Sequence, residues 1–458
     1  MKSLLKKLLP AAFFRAYHRL LSWLASVCFG HPSERMVVIG ITGTNGKSTV
    51  ANMIAWLFER SGRKVGMTTT ANFKVADREW LNDTKMTMLG RFRLQSLLRQ
   101  MVAADCSLAA VETSSEGIRQ YRHSGINYDT AVFTNLTPEH IESHGGFDNY
   151  RRAKGRLFAK LSHDRHKRLE GRTVPKTSVV NLGDEHADFF LGFSADRKIG
   201  FFVPRTAGDR PPERSDVETV RTEDLSVGAD GSSFRVCGVP FGLTMPGRFN
   251  VENAMAAVCV GLAHGLDLAA MSESLRIMPT VPGRIERIDE GQPFGVIVDY
   301  APEPESFRKL YEVVDLLPKR RVIHVLGSTG GGRDTDRRPV LGRLAAEKAQ
   351  VVIVTNEDPY DDDPPTIVRD VAAGAREAGK RDGVDLFEIL DRREAIAKAI
   401  GLAEDGDLVL VTGKGCEQAM VVAGGRKIPW DDRTELRRAI RERYGSKARE
   451  TNDSTYGF

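Results

Sequence analysis

The stretch Met36–Thr49, MVVIGITGTNGKST, constrains this chain more than any other. A short apolar run passes into a Gly-rich turn, and Lys47, Ser48 and Thr49 open a helical pattern that continues through Leu57. A buried strand ending in such a turn, ahead of a helix N-terminus, aims backbone N–H groups at anions and makes a cradle for phosphate oxygens. In that reading Gly43, Thr44, Asn45, Gly46 and Thr49 line the cradle of an ATP site. Lys47 reaches the β- and γ-phosphates, and the Ser48 hydroxyl takes Mg²⁺. Ile41 stands where the strict pattern G-x-x-x-x-G-K-[ST] has its first glycine, so Gly43, Gly46, Lys47 and Ser48 carry the match.

With 458 residues the chain is long enough for two or three domains with sizeable cores. The formal charge of +5 arises from 66 basic against 61 acidic residues spread along the chain, which does not suggest a nucleic-acid protein and suits small phosphorylated or acidic substrates. Five cysteines, Cys28, Cys106, Cys237, Cys259 and Cys416, lie far apart with no C-x-x-C. That argues against a zinc ribbon or disulfide framework and fits a reducing cytoplasm.

Lys2, Lys6 and Lys7 precede an apolar-rich stretch, Leu8–Gly30, that superficially resembles a signal peptide. Arg15, His18 and Arg19 interrupt it, no A-x-A-like cleavage site follows, and the uninterrupted apolar runs are too short to span a bilayer. An amphipathic helix over Phe13–Phe29 is expected. Two roles stay open for residues 8–30: packing against the protein's own core, or peripheral contact with a membrane interface.

From Met36 onward strand-like runs at Met36–Ile41, Ser107–Val111, Asp129–Thr134 and Ser178–Leu182 alternate with helical stretches at Gly90–Ala104 and Asn149–Leu161. The alternation predicts an α/β fold with a mostly parallel sheet. Ala195–Pro240, richer in Pro, Gly and charge, reads as an inserted β-rich or loop-rich portion. After Pro282-Gly283-Arg284 a second alternation follows, with strands at Val296–Asp299, Val322–Leu326, Val351–Thr355 and Leu408–Thr412. The expected organisation is a helical segment over 1–35, a P-loop domain over 36–281, a second α/β domain over 282–446 and a flexible tail over 447–458.

Open α/β sheets place chemistry at the carboxyl ends of their strands. Ser107–Val111 runs into Glu112-Thr113-Ser114-Ser115-Glu116, and Asp129–Thr134 into Asn135-Leu136-Thr137-Pro138-Glu139-His140, then Ser143-His144-Gly145. A carboxylate and imidazoles beside a P-loop suit a polyphosphate-bound metal pair. The residues alone leave Glu112 open between metal ligand and helix-capping acid, and His140 and His144 between ligands and structural histidines. Lys154 in Tyr150–Phe158 reads simply as the solvated face of a basic helix.

TGTNGKST, the ETSS strand end, NLTPEHIESHG, YRRAKGRLF, PGRFNVENAMAA, VPGRIE, IVDYAPEP, GGGRDTDRRP, TNEDP, DRREAI and VTGKG together resemble the Mur ligase family over about Met36 to Tyr444. Their order and spacing are nearest to members that add the third amino acid to UDP-N-acetylmuramoyl-L-alanyl-D-glutamate. The resemblance implies a P-loop ATPase domain plus a Rossmann-like C-terminal domain. It also implies an ATP-dependent ligase that activates a muramoyl-peptide carboxylate as an acyl phosphate for attack by an amine. Lys47 and Ser48 would hold the phosphates and a first Mg²⁺, with Glu112 on that ion. His140 and a carbamylated lysine at Lys154 would hold a second. Asn253 matches an adenine contact, and Arg284, Asp299 and Tyr300 positions near the nucleotide. Arg333, Asp334 and Arg338 match a turn near ATP and the reacting carboxyl. Thr69, Thr70, Thr87, Ser114 and Ser115 match muramoyl-peptide contacts, and Asn356, Asp358 and Tyr360 the amino-acid end. Closure of the two domains would exclude water from the acyl phosphate.

Several positions differ from the family pattern. Only about 35 residues precede the first strand, where such members carry a uridine-nucleotide-binding domain. The resemblance thus leaves UDP recognition open and allows a membrane-proximal or lipid-linked substrate. Pro302 and Glu303 replace His-Thr, Cys416 replaces the His of GKGHE, and Glu116 stands where His is common. Diaminopimelate-adding members have Asp-Asn-Pro-Arg where this chain has Glu357-Asp358-Pro359-Tyr360, and Tyr360 cannot make the bidentate ion pair of that arginine. With Asp361, Asp362 and Asp363 nearby, L-lysine is favoured over diaminopimelate. A cytoplasmic monomer acting on small molecules, without nucleic acid, is expected.

Overall fold

The computed structural model describes residues 11–138, 144–206, 208–332 and 335–445. The chain divides into two compact units, Met1–Pro279 and Thr280–Phe458. The first begins with the helix Ala11–Cys28 and then builds strands β1 (Val37–Thr42), β2 (Val65–Thr68), β3 (Asn72–Val75), β4 (Arg78–Leu81), β5 (Leu108–Glu112) and β6 (Thr130–Phe133). A short hairpin, β7 (Lys167–Leu169) and β8 (Arg172–Val174), precedes β9 (Thr177–Asn181), β10 (Arg197–Phe202), β11 (Glu218–Gly228), β12 (Gly231–Val236) and β13 (Val239–Leu243).

These strands, apart from the hairpin, form one 11-stranded sheet in the order β13-β12-β11-β10-β9-β6-β1-β5-β2-β3-β4. Its centre, from β2 through β5, β1, β6, β9 and β10 to β11, is parallel, and antiparallel strands close both edges. β5, β6 and β9 are buried along their whole length, as the helices on both faces require and as their apolar runs foretold. Helices expected over Gly90–Ala104 and Asn149–Leu161 run over Arg91–Ala103 and Phe147–His163, within the usual uncertainty of helix ends. The portion expected over Ala195–Pro240 is β-rich, as one of the two readings had it, but belongs to the main sheet rather than to an insert. β10 and β11 extend the parallel sheet, and β12 with β13 caps its edge. The short alternating runs of β11, β12 and β13 belong to strands with one face in solvent, which look like loops when read alone.

Buried charge ties the amino ends of the central strands together. Asp129 accepts the Val38 N–H at 2.9 Å and pairs with the ammonium groups of Lys167 and Lys176, all of them buried. Burial pushes Lys167 below its ordinary range while Asp129 pulls the other way. Removing Asp129 would strand two buried cations at a cost of about 3–5 kcal/mol. This end of the sheet is therefore structural, and the opposite end is free for chemistry.

The second unit carries β14 (Glu286–Arg287), β15 (Gly295–Asp299), β16 (Val322–Leu326), β17 (Val351–Val354), β18 (Leu386–Glu388) and β19 (Leu408–Thr412) in the order β14-β15-β19-β16-β17-β18. All but β14 pair in parallel, so this is the α/β doubly wound type. Arg392, fully buried, forks onto the Asp432 carboxylate at 2.8 and 2.7 Å and donates to the Thr412 carbonyl, tying two helices to β19. Among the described residues no helix is long and apolar enough to cross a membrane.

Candidate active site

At the carboxyl end of β1 the backbone makes the cradle that the sequence implies. Gly43 and Gly46 have φ of 151° and 84°, and the helix Lys47–Arg60 starts directly after Gly46. A Cβ at Gly43 would overlap Thr134 Oγ1, and one at Gly46 would overlap Asn253 Oδ1, so both positions need glycine for space as well as for dihedral freedom. Asn253, on the helix Arg248–Ala263, thereby closes against the turn. Lys47 Nζ donates to the Thr44 carbonyl at 2.7 Å, folded back along its own loop. Thr49 is buried in the first helical turn.

The strand end after β6 locks the loop, through residues to which the sequence reading gave no role. Thr44 N–H donates to the Asn135 carbonyl at 2.8 Å, Asn45 N–H to Asn135 Oδ1 at 2.9 Å, and Thr134 Oγ1 to the Asn45 carbonyl at 2.7 Å. Thr44 Oγ1 accepts the Thr137 N–H and lies 3.0 Å from the Tyr150 hydroxyl. The signal was the position of these residues directly after an apolar strand.

β5 delivers Glu112, which is 2% exposed, to the same place. Ser48 Oγ donates to its Oε2 at 2.7 Å, and Thr70 N–H donates to the same oxygen at 2.7 Å. Thr70 Oγ1 lies 3.0 Å from both Glu112 Oε1 and Thr87 Oγ1; donating to the carboxylate leaves it to accept from Thr87. Ser48, Glu112, Thr70 and Thr87 thus form one hydrogen-bonded chain from the cradle to the next strand end. Thr69 is spent locally, bonding Asn72 across the β2–β3 turn. Ser114 caps the helix Ser115–Arg119 by accepting the Gly117 N–H, and Ser115 is buried beside it.

Lys154 is not a solvated side chain. It is 1% exposed, donates to the Gly43 carbonyl at 2.6 Å and lies 4.5 Å from the Tyr150 ring centroid. His140 and Arg333 lie outside the described residues. The remaining first-unit oxygens suit a hard cation: a hydroxyl and a carboxylate in contact, with the buried Thr42 Oγ1 at the same strand end lacking a hydrogen-bond partner among the described residues.

Arg91 and Arg122, neither singled out from sequence, stand beside the ETSS helix. Arg122 donates to the Met88 carbonyl and to Gln120 Oε1, and Arg91 to the Gln120 carbonyl while meeting His18 Nδ1 at 2.8 Å. Burial holds both guanidinium groups below their ordinary range; Arg91 lowers Arg122 further while Glu116 opposes the shift. Neither forms an ion pair with a carboxylate among the described residues, although Glu116 lies near enough to Arg122 to act on it, and the cluster presents positive charge that suits an anionic ligand.

In the second unit the expected residues gather at the carboxyl ends of β15, β16, β17 and β19. Arg284 lies over the Tyr300 ring, 4.6 Å from its centroid. Asp299 accepts the N–H groups of Ile285 and Ala301 at 2.8 Å; burial raises its pKa and Arg284 opposes the rise. Asp358 takes Lys414 Nζ and the Val421 N–H at 2.8 Å each, while Asn356 Oδ1 accepts the Glu357 N–H. Arg338 is held by Asp362 at 3.0 Å and Asp370 at 2.9 Å. Tyr360 has a left-handed φ of 53° and its ring borders Gly331.

Each aspartate of the acidic run also has local work. Asp361 accepts the Gly424 N–H, Asp362 pairs with Arg338, and Asp363 caps the helix Pro364–Glu377. The run is therefore held in place locally, with Asp362 neutralised by Arg338. The substituted positions are equally occupied: Glu303 pairs with Arg337, and burial pushes the Cys416 thiol up to about 11, leaving it protonated.

The sequence matches the Mur ligase middle domain over residues 41–261 and the Mur ligase glutamate ligase domain over residues 283–415. A UDP-N-acetylmuramyl-tripeptide synthetase of Roseiflexus sp. is 40% identical over 431 residues, 92% of this chain and 81% of that protein. A UDP-N-acetylmuramoyl-L-alanyl-D-glutamate–2,6-diaminopimelate ligase of Geobacillus kaustophilus is 38% identical over 442 residues, 95% of this chain and 85% of that protein. A solved structure of a ligase of the latter name superposes with a TM-score of 0.57 at 28% identity, covering 90% of this chain and 79% of the other. With both domain matches in chain order and relatives of this identity along nearly its whole length, the chain belongs to the Mur ligase family.

Proposed function

We propose that this chain is an ATP- and Mg²⁺-dependent ligase that joins the carboxylate of a muramoyl-dipeptide to the amine of an amino acid; the names of its relatives describe for them a ligase or synthetase of muramoyl-peptides. The observation that carries the reading is the hydrogen-bonded chain Ser48–Glu112–Thr70–Thr87, which couples a phosphate cradle to a neighbouring strand end.

The N–H groups after Gly43 bind the phosphates, and Lys47 exchanges the Thr44 carbonyl for a phosphate oxygen. Ser48 Oγ and the Glu112 carboxylate would hold a Mg²⁺ ion, whose charge would supply screening of the repulsion between the attacking carboxylate and the γ-phosphoryl group. Thr70 and Thr87 orient the muramoyl-dipeptide, and Arg91 and Arg122 hold an anionic group of the same substrate. The carboxylate oxygen bonds to the γ-phosphorus as the bond to ADP breaks; the amine nitrogen then adds to the acyl carbon and phosphate departs. Carbamylation of Lys154 would convert its ammonium to an anion and keep one Nζ–H for the Gly43 carbonyl, so the present contact is compatible with it. Because the acidic run is engaged locally, we assign the choice of amine to Tyr360: lysine, with no distal carboxylate, suits a site without an arginine there.

Phosphate release from ATP in the presence of UDP-N-acetylmuramoyl-L-alanyl-D-glutamate and single amino acids, with mass detection of the product, tests this. A product heavier by one amino-acid residue is expected. ATP binding without product formation for any amine would reject the muramoyl acceptor.

A further inference from the structure

The helix Ala11–Cys28 packs the wrong way round for a surface helix. On its inner face Ser22, Ala25 and Ser26 are buried and Phe14, His18 and Leu21 half-buried, and Ser22 Oγ accepts the Gly125 N–H at 3.1 Å. His18 meets Arg91, and Arg19 lies over the Tyr121 ring at 4.9 Å. Its outer face, by contrast, is Phe13, Ala16, Tyr17, Leu20, Trp23, Leu24 and Val27, a continuous apolar stripe at helical spacing. Trp23 is 57% and Leu20 54% exposed. Single exposed apolar residues are ordinary, but a stripe running the length of an 18-residue helix marks a surface that something covers.

Charge identifies the occupant. Lys2, Lys6, Lys7, Arg15 and Arg19 are the charged residues between Met1 and Glu34. Arg15 and Arg19 are exposed beside the stripe. An apolar stripe carrying Trp, Tyr and Phe, edged by cations and without anions, is complementary to the headgroup boundary of an anionic bilayer. A second copy would bring the same excess of positive charge against itself. We propose that this helix is an interfacial anchor that lays the first unit on an anionic lipid surface without crossing it. Because its inner face holds Arg91 through His18, the anchor also brings the muramoyl-peptide end of the central sheet close to that surface. The lipid-binding part stands apart from the ligase reading, since neither vesicle binding nor its loss alters the soluble assay.

The test is co-sedimentation of the full chain with vesicles of mixed phosphatidylglycerol and phosphatidylcholine, against phosphatidylcholine alone. Binding to the anionic vesicles, weakened by salt, is expected. The double variant Leu20→Glu with Trp23→Glu removes two exposed side chains from the stripe and should bind about 100-fold or more weakly, with ATP hydrolysis unchanged. Light scattering of the full chain completes the test. Equal binding by the variant, failure of the native chain to bind, or a dimer that the double variant dissolves would each overturn the proposal.

Discussion

Lys154 shows how far a single side chain departs from its local pattern. In YRRAKGRLF it sits among basic neighbours on an amphipathic helix, yet it is 1% exposed and reaches a carbonyl of the phosphate cradle. If it carries a carbamate, Lys154→Ala should lower turnover at least about 100-fold while ATP still binds, and formate or acetate should restore part of the rate. Full activity in the variant would remove the carbamate. Tyr360 permits a second prediction. Tyr360→Arg should raise kcat/KM for diaminopimelate relative to lysine about tenfold, the scale of one charge-assisted contact, in competition assays with both amines; an unchanged ratio would move the selection elsewhere. The cradle residues Gly43, Gly46, Lys47 and Ser48 were legible because their neighbours in sequence explain them, whereas Glu112 was left open between two roles. Arg91 and Arg122 were not, since nothing local says that either forms no ion pair with a carboxylate among the described residues.

At the scale of elements, the parallel core strands were legible from unbroken apolar runs, and the edge strands were not. A strand with one wet face needs its partner to be recognised, which is why β11 through β13 resembled an insert. His324 illustrates the same dependence. Buried in β16, it meets the Tyr311 hydroxyl at 2.7 Å and Thr412 Oγ1 at 2.9 Å, joining the helix Pro304–Leu316 to β16 and β19. Burial holds its pKa at about 3, with Arg392 adding to the effect. Because the folded value lies below the unfolded one of about 6.5, the unfolded chain takes the proton first. Stability from this group is whole above pH 6.5 and falls as pH drops toward 3. Urea unfolding at pH 5 should therefore show about 2 kcal/mol less stability from His324 than at pH 7. His324→Gln should remove that part of the difference; an undiminished difference in the variant would assign it to other groups.

At the scale of the whole molecule, each unit owns a sheet and a core. In the second, Val296, Val298, Ile323, Val325, Ile353, Ile396, Val409 and Leu436 pack into one apolar cluster. Residues 280–445 expressed alone should thus melt cooperatively, near the 45–65 °C typical of such domains (about 1 kcal/mol shifting this by a few degrees). A gradual, non-cooperative melt would show that the unit depends on the rest of the chain. The sequence by itself determined the strand–turn–helix at the cradle, the alternation of strands and helices and the family, because these rest on spacing between near neighbours. Only the tertiary structure decided that Ser48 meets Glu112 across 64 residues and Lys154 meets Gly43 across 111, and that the first helix turns its apolar side outward. Those outcomes follow from the strand order that sets β5 and β6 on either side of β1, and local periodicity reports which face is apolar without reporting what that face meets.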